Sequence, residues 1–528
     1  MIQTSETYAP FAQVRQVDAL ISFEVLAKTL NKKNITATVP AAKLGNGAAT
    51  LNGIPELSDK YATLERYGWP LDGSCAVMPS SGIETGFWSS AVSDDAGDFD
   101  APLVFRYDLP SDTDTFGWTF HFDEPGGVWA SRVRVICYDE NDTVIDEVEA
   151  VPDPPAEKGT GRSFTHYVHG YRAVEFTFYG TNVPLRMLRL AEVDFGISRH
   201  FSRNSIQKAR IKYGMAPDGS AFPAKQIVFS FDNSDGGFNV LSPEGVYQYW
   251  RNGQVLTARI KVGDEIVPMG MFYVTKAEIG DNRLLAKVTA HDPCYQLANQ
   301  KFYPSTLADY ETVRLDEAVP RALIGTDLEV DYGGLEAEPV SVAVRDTHDK
   351  RTILRYLAQA ARATCWIDRD NVLRIRRIVT AEEEDGDITA DELYGWSGVS
   401  IAEEYTGVTL TVHRELKEGG EGEEGEGGED PTETYNAGIA DDSGSAVASY
   451  ENPCVAAVNG QAVADWLLVM ANRRKKYAVR NRCDPAVEIG DTLVIADAFH
   501  NDDRAVVTGL DIEYDGGLSC VTEADREF

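Results

Sequence analysis

Acid, base and nucleophile types stand side by side at His291-Asp292-Pro293-Cys294. A thiol dyad needs its base within hydrogen-bond reach and a third group to orient it. Neighbours in a strand point to opposite faces, so this run does not predict a catalytic pair. Asp292 ahead of Pro293 predicts a helix N-cap instead. His166 and His169 would likewise fall on opposite faces of a strand, which predicts surface histidines rather than metal ligands. Asp139-Glu140-Asn141-Asp142 has oxygens that a calcium ion could take, but turn chemistry is the expectation. Tryptophan carries the best small-molecule signal. Four of the eight (Trp69, Trp88, Trp118 and Trp129) fall within about sixty residues. Indoles offer flat apolar faces on which the C–H faces of sugars can stack, with nearby polar groups taking the hydroxyls. Trp69, Asp72, Trp88 and His121 are therefore the candidate glycan-binding residues. Trp118 and at least one other tryptophan are expected in the core, and docking of a protein is the other role open to this region. Arg374, Arg376 and Arg377 form a basic stripe, expected to make ion pairs between subunits.

The chain that positions these residues is mainly β and multidomain. Its 528 residues allow about three or four domains. It has 23 Tyr, 21 Phe and 45 Gly, many of them in short alternating segments. There is no apolar run of membrane-spanning length and no basic-then-apolar leader, so neither membrane insertion nor a secretory signal is predicted. The seven cysteines are scattered without a CxxC, which predicts reduced core thiols. No GxSxG, HExxH, P-loop or strand-to-helix GxGxxG occurs, so no catalytic residue, cofactor or metal site is predicted. A net charge of -35 argues against tight nucleic-acid binding and suits a pore lining that repels DNA. Part of that charge lies in residues 415–430, ELKEGGEGEEGEGGED, a Gly/Glu low-complexity stretch that predicts a disordered loop.

Along the chain, residues 14–28 and 34–39 read as strands. From about Lys60, strand signals recur at 102–107, 115–122, 132–138, 144–148, 172–179 and 186–195, the spacing of a β-sandwich. Residues 225–238, KQIVFSFDNSDGGF, form a strand breaking into a turn. Further strands are expected at 254–260, 267–274 and 284–292. Residues 350–364 place Ile353, Leu357, Ala360 and Thr364 on one helix face. A hairpin follows, turning through Asp368-Arg369-Asp370-Asn371, where Asn371 tolerates a left-handed conformation. A second helix is expected over 461–477, then strands at 479–484, 492–496, 505–514 and 518–522.

The series at 225–238, Val267-Pro268-Met269-Gly270-Met271-Phe272-Tyr273-Val274 and 284–292 (LLAKVTAHD) resembles the trimeric baseplate-hub or tail-tip family of tailed-phage tail proteins. The likeness extends through the hairpin at Cys365-Trp366-Ile367. Residues 172–178 and 187–193 resemble the closing strands of a galactose-binding, discoidin-like jelly roll. The resemblances imply hub-type β-barrels, a small α+β domain and an inserted jelly-roll β-sandwich. The domains expected are 1–59, an arm and the first strands of barrel one; 60–196, the sandwich; 197–293, the rest of barrel one; 294–380, α+β; and 381–528, a C-terminal barrel with an acidic disordered loop at 415–447. They also imply a homotrimeric ring in the virion tail, assembled in the bacterial cytoplasm. Its partners would be the tail tube or distal tail protein, the tape-measure protein, and fibre or spike proteins, with a host surface glycan if the sandwich binds sugar. The alternatives are a tail-associated peptidoglycan hydrolase and a carbohydrate-binding adsorption protein. The first lacks a visible catalytic module, and the second leaves the hub-like half unexplained.

Overall fold

The computed structural model describes residues 1–4, 17–25, 32–51, 61–63, 65–66, 72–77, 86–154, 161–201, 205–234, 253–262, 265–279, 284–303, 312–326, 328–342, 344, 346–396, 398–414, 432–438, 446–497 and 503–526. The chain is mainly β and divides into two compact units: one of residues 21–201 with 240–256, the other of 1–20, 202–239 and 257–528.

In the unit of residues 21–201, two long strands, Asp98–Phe122 and Arg162–Gly180, run antiparallel from Arg162↔Phe120 to Gly180↔Asp98. Phe105 and Phe120 lie fifteen residues apart on one strand, about 50 Å if it were straight. Yet their rings sit 5.3 Å and 5.5 Å from that of Phe178. The ribbon must therefore fold over on itself. Register shifts between Thr165 and Ala173 supply the bend, because a bulge bends the strand that carries it. The inner faces interdigitate as an aromatic core of Phe87, Phe105, Tyr107, Trp118, Phe120, Phe122, Phe176 and Phe178. Strand order is Ala42–Leu44, Phe87–Val92, Met187–Asp194, Asp98–Phe122, Arg162–Gly180, Val133–Tyr138, Val144–Ala150. Thr36–Thr38 also joins this sheet, through Thr36↔Asp108. Residues 36–44, which the sequence reading attached to the first barrel, thus hydrogen-bond to sandwich strands. Three-residue strands cannot stand alone, and the aromatic sheet offers their nearest apolar surface: Ile35, Ala37 and Ala42 pack on its core. Val17–Val25 pairs with Ile197–Phe201, from Ile21↔Phe201 to Val25↔Ile197.

The other unit is built on an antiparallel sheet in which the order runs from Val17–Val25, the strand expected of the first barrel, to Val255–Val262, Glu265–Ile279, Leu285–His291, Gln226–Asp232, Ile206–Gly214, Asp503–Tyr514, Leu518–Arg526, Lys475–Asn481, Gly398–Ile401. The strands expected in two barrels are joined here in one sheet, since Ile206–Gly214 pairs with Asp503–Tyr514 from Ala209↔Tyr514 to Gly214↔Gly509. Beside it, helices Leu315–Leu323 and Lys350–Ala360 pack on the hairpin Thr364–Ile367/Val372–Arg376. Their core continues into strand Gly407–His413 and helix Gly460–Ala471 through Val408, Leu410, Val463 and Leu467. Helix Lys350–Ala360 is capped by Asp349, whose carboxylate accepts from the Thr352 amide at 2.9 Å. It ends earlier than expected because Arg362 turns left-handed, at φ 59°, so Thr364 opens a strand. Asn371 is left-handed as expected, at φ 60°. The second helix stops at Ala471, and Lys475–Asn481 is already a strand. Part of the loop expected to be disordered is ordered: Thr432–Gly438 pairs with Gly407–His413. The acidic run 415–430, the turn at 235–237 and residues 246–249 lie outside the described residues.

Candidate functional site

The proposed sugar site does not assemble. Trp88 is completely buried and His121 is 2 % exposed, so neither presents a face to a ligand. Asp72 is exposed in a turn, accepting from the Ser74 amide at 3.0 Å. Trp69 lies outside the described residues. The correction has a physical cause. Trp88 sits on Phe87–Val92, whose partner strand Met187–Asp194 is buried throughout, so both of its faces are covered.

What Trp88 does instead is cover a buried cation. The Arg189 guanidinium lies 4.5 Å from the Trp88 ring and ion-pairs with Glu65 and Asp123. Glu65 also accepts from the Met187 amide at 2.6 Å, and Asp123 from the Gly126 amide at 2.9 Å. His121 belongs to a second network. It contacts Asp194 at 2.8 Å, and Lys32 reaches Asp194 at 2.6 Å and Glu192 at 2.5 Å. Burial disfavours the charge on Lys32, but the two carboxylates more than offset this and raise its pKa above the ordinary lysine range. Asp194, also opposed by burial, is held below the ordinary carboxylate range by Lys32 and His121. Trp118 is in the core, as expected.

His291 and Cys294 do not meet as base and nucleophile. His291 is 2.8 Å from the Gln226 amide nitrogen and 2.9 Å from the Thr275 hydroxyl, and it stacks on Tyr295 at 4.4 Å. The fully buried Cys294 thiol donates to the Phe222 carbonyl at 3.4 Å, and burial pushes its pKa well up. Asp292 caps helix Pro293–Asn299, accepting from the Cys294 amide at 3.1 Å. Asp139 accepts from the Asn141 and Thr143 amides at 2.8 Å, and Asp142 is left-handed, so that run is a turn. Among the described residues no group of three His, Cys, Asp or Glu could hold a metal ion, and no helix is long and apolar enough to cross a membrane.

Near Asp292 lies a polar cluster that the sequence reading missed. Arg369, fully buried, donates to the Tyr213 hydroxyl at 2.6 Å and to the carbonyls of Pro485 and Val487 at 2.5 Å, and it ion-pairs with Glu488. Lys225 donates to the Asp368 carbonyl at 3.0 Å. Gly270, at φ 118°, makes room for it: a Cβ there would fall 2.8 Å from the ammonium. Burial lowers the Lys225 pKa, and burial raises that of Asp292 to about 7 against the pull of Lys225. The arrangement ties distant chain segments together and presents no open nucleophile. The available signal was a basic residue in the tip of a hairpin, Asp368-Arg369-Asp370-Asn371, between apolar strands.

The basic stripe pairs within the chain, which corrects the expected intersubunit role. Arg374 reaches Asp368 at 2.6 Å, Arg376 reaches Asp331 at 2.5 Å and Arg377 reaches Glu338 at 2.7 Å. An open concavity of about 480 Å³ on the sheet is lined by Lys208, Arg210, Lys212 and Lys287. Glu513 and Asp511 neutralise Lys208 and Arg210 there.

No protein-family model matches the sequence, and no curated protein does. Among solved structures the chain is similar to a tail protein from Neisseria meningitidis MC58, at 10% identity and a TM-score of 0.44, over 62% of this chain and 94% of that one. It is similar to the 43 kDa tail protein of prophage MuSo2 from Shewanella oneidensis, at 12% identity and 0.42, over 62% and 96%. A chain of the virion of a native gene transfer agent matches at 14% identity and 0.31, over 83% and 80%. Likenesses this distant do not set the function of the chain.

Proposed function

We propose that this chain is a structural protein of a phage or prophage tail: a hub at the distal tail or baseplate, with no catalytic role. Three copies form a ring that continues the tail tube and anchors the fibre or spike. The observation that carries the reading is the succession of strand segments between residues 225 and 292. Its resemblance to the hub family lies in residues that form adjacent strands, Gln226–Asp232 beside Leu285–His291 beside Glu265–Ile279, closed by the Asp292-capped helix. The charge of -35 suits a bore through which DNA must pass without adhering. The sandwich, inserted in sequence between segments of the other unit, serves as a docking module for another tail component. A closed ring follows from the symmetry a tube demands.

The test is to delete the gene from its phage and image the particles by electron microscopy. Tails that lack the distal ring and fibres, restored by complementation, are the expected result. Complete tails with an intact tip in the deletion strain would overturn the reading.

A further inference from the structure

Among the described residues two strands at sheet edges carry exposed apolar side chains, and one of the two is guarded. Val144–Ala150 ends the sandwich sheet. It carries Asp146, Glu147 and Glu149, each ion-paired, with His166, Arg134 and Arg132 respectively. Charges along an edge are a standard defence against another strand adding to it. Among the described residues Gly398–Ile401 ends the other unit's sheet and pairs only with Lys475–Asn481. Its four residues, Gly-Val-Ser-Ile, carry no charge and are all exposed. Trp396 just before it is 61 % exposed and Ile401 57 %. A strand bare on both faces and unpaired along one side offers a ready template for another strand.

The charges beside that edge indicate what covers it. Arg480 is on the neighbouring strand and Arg482 follows it; both are exposed, and neither makes an ion pair among the described residues. On a chain of net charge -35, the complement such cations need is abundant on another copy. One edge strand of the same unit stands next to an acidic run in the sequence. Among the described residues Thr432–Gly438 pairs only with Gly407–His413 and is mostly exposed, and its one carboxylate, Glu433, pairs with Arg414. In sequence it follows directly on residues 415–430, with eight carboxylates against Lys417.

We propose that Gly398–Ile401, with Trp396, Arg480 and Arg482, is a docking edge for a second copy of this chain, which adds its strand Thr432–Gly438 there. Joining two different edges is a head-to-tail contact, which closes into a ring when the rotation from copy to copy closes. The inference rests on the ring reading above and names the surfaces that make the ring.

The experiment is sedimentation of the full chain beside Val399→Lys/Ile401→Lys and, separately, Arg480→Glu/Arg482→Glu. Both variants change exposed side chains, and circular dichroism checks that they fold. The wild type is expected to form trimers, and each variant to self-associate at least about tenfold more weakly. In a Cys75→Ser background, Ser400→Cys combined with Thr434→Cys or Asn436→Cys is expected to give covalent trimers on oxidation. If the lysine variant does not fold, the arginine variant carries the test. Rings that persist in the folded variants overturn the docking edge and leave the ring standing. Ser400→Cys cross-linking to itself alone replaces the head-to-tail contact with a two-fold one, and overturns the inference. A wild type that stays monomeric at high concentration removes the ring and the edge together.

Discussion

Each unit buries an arginine, and the two are satisfied in opposite ways. Arg189 in the sandwich faces two carboxylates, Glu65 and Asp123, whose side chains are as buried as its own. Arg369 faces one partly exposed carboxylate, Glu488, and otherwise the Tyr213 hydroxyl and backbone carbonyls. The first is a core triad in which a single cation permits two anions to be buried. The second is a clamp in which one cation gathers the dipoles of distant segments. Breaking a buried ion pair is costly because the partner left behind keeps its charge out of water. The two sites should therefore fail differently.

The largest effect is expected from Arg189→Met. It strands Glu65 and Asp123 and should destabilise the sandwich by about 3–5 kcal/mol. Arg369→Met strands mainly neutral acceptors and should cost less, on the order of 2–3 kcal/mol. Chemical denaturation, followed separately for each unit, checks the order. The reverse ranking would mean that the clamp, not the triad, is the more heavily charged environment.

The next effect separates the sites by pH. Asp292 has its pKa raised to about 7 in the fold, against 3.8 as its ordinary value. The folded chain keeps that proton where the unfolded chain releases it. Its contribution is full below about pH 4 and is lost as pH rises through 7. Asp292→Asn keeps a capping side chain without the charge. It should be more stable than the wild type at pH 8, by on the order of 2 kcal/mol, with the difference vanishing near pH 4. Equal stability at both pH values would show that Lys225 already compensates the carboxylate in full.

The smallest effect tests the surface stripe. Arg377 pairs with Glu338 at 2.7 Å and is 39 % exposed at its side chain. Arg377→Ala should cost less than about 1 kcal/mol and leave self-association unchanged. A loss of assembly instead would return the stripe to the intersubunit role that its sequence suggested.

Much of this was legible beforehand. Alternation at 226–232 and 285–291 announced strands because a half-buried strand writes period two into its residue types. Asp292 before Pro293 announced a cap, and Asn371 announced a left-handed turn, since both signals are local. The sugar site failed for a non-local reason. Trp88 looks like any exposed indole until strand Met187–Asp194 covers it and brings Arg189 beneath it. The early end of helix Lys350–Ala360 was hidden too, because Arg362 takes a left-handed φ that no glycine marks.

By itself the sequence determined what depends on neighbours along the chain: mainly β structure, turn and cap positions, burial of six of the seven thiols and a strongly negative net charge. The tertiary structure alone decided the pairings. It folded one long ribbon onto itself through bulges, and it drew Thr36–Thr38 into the sandwich. It joined strands 206–214 and 503–514 into one sheet, and it left Gly398–Ile401 bare at its end. The physical reason is that strand pairing uses backbone groups that every residue carries. Which edge meets which is therefore set by the packing of side chains far apart in sequence.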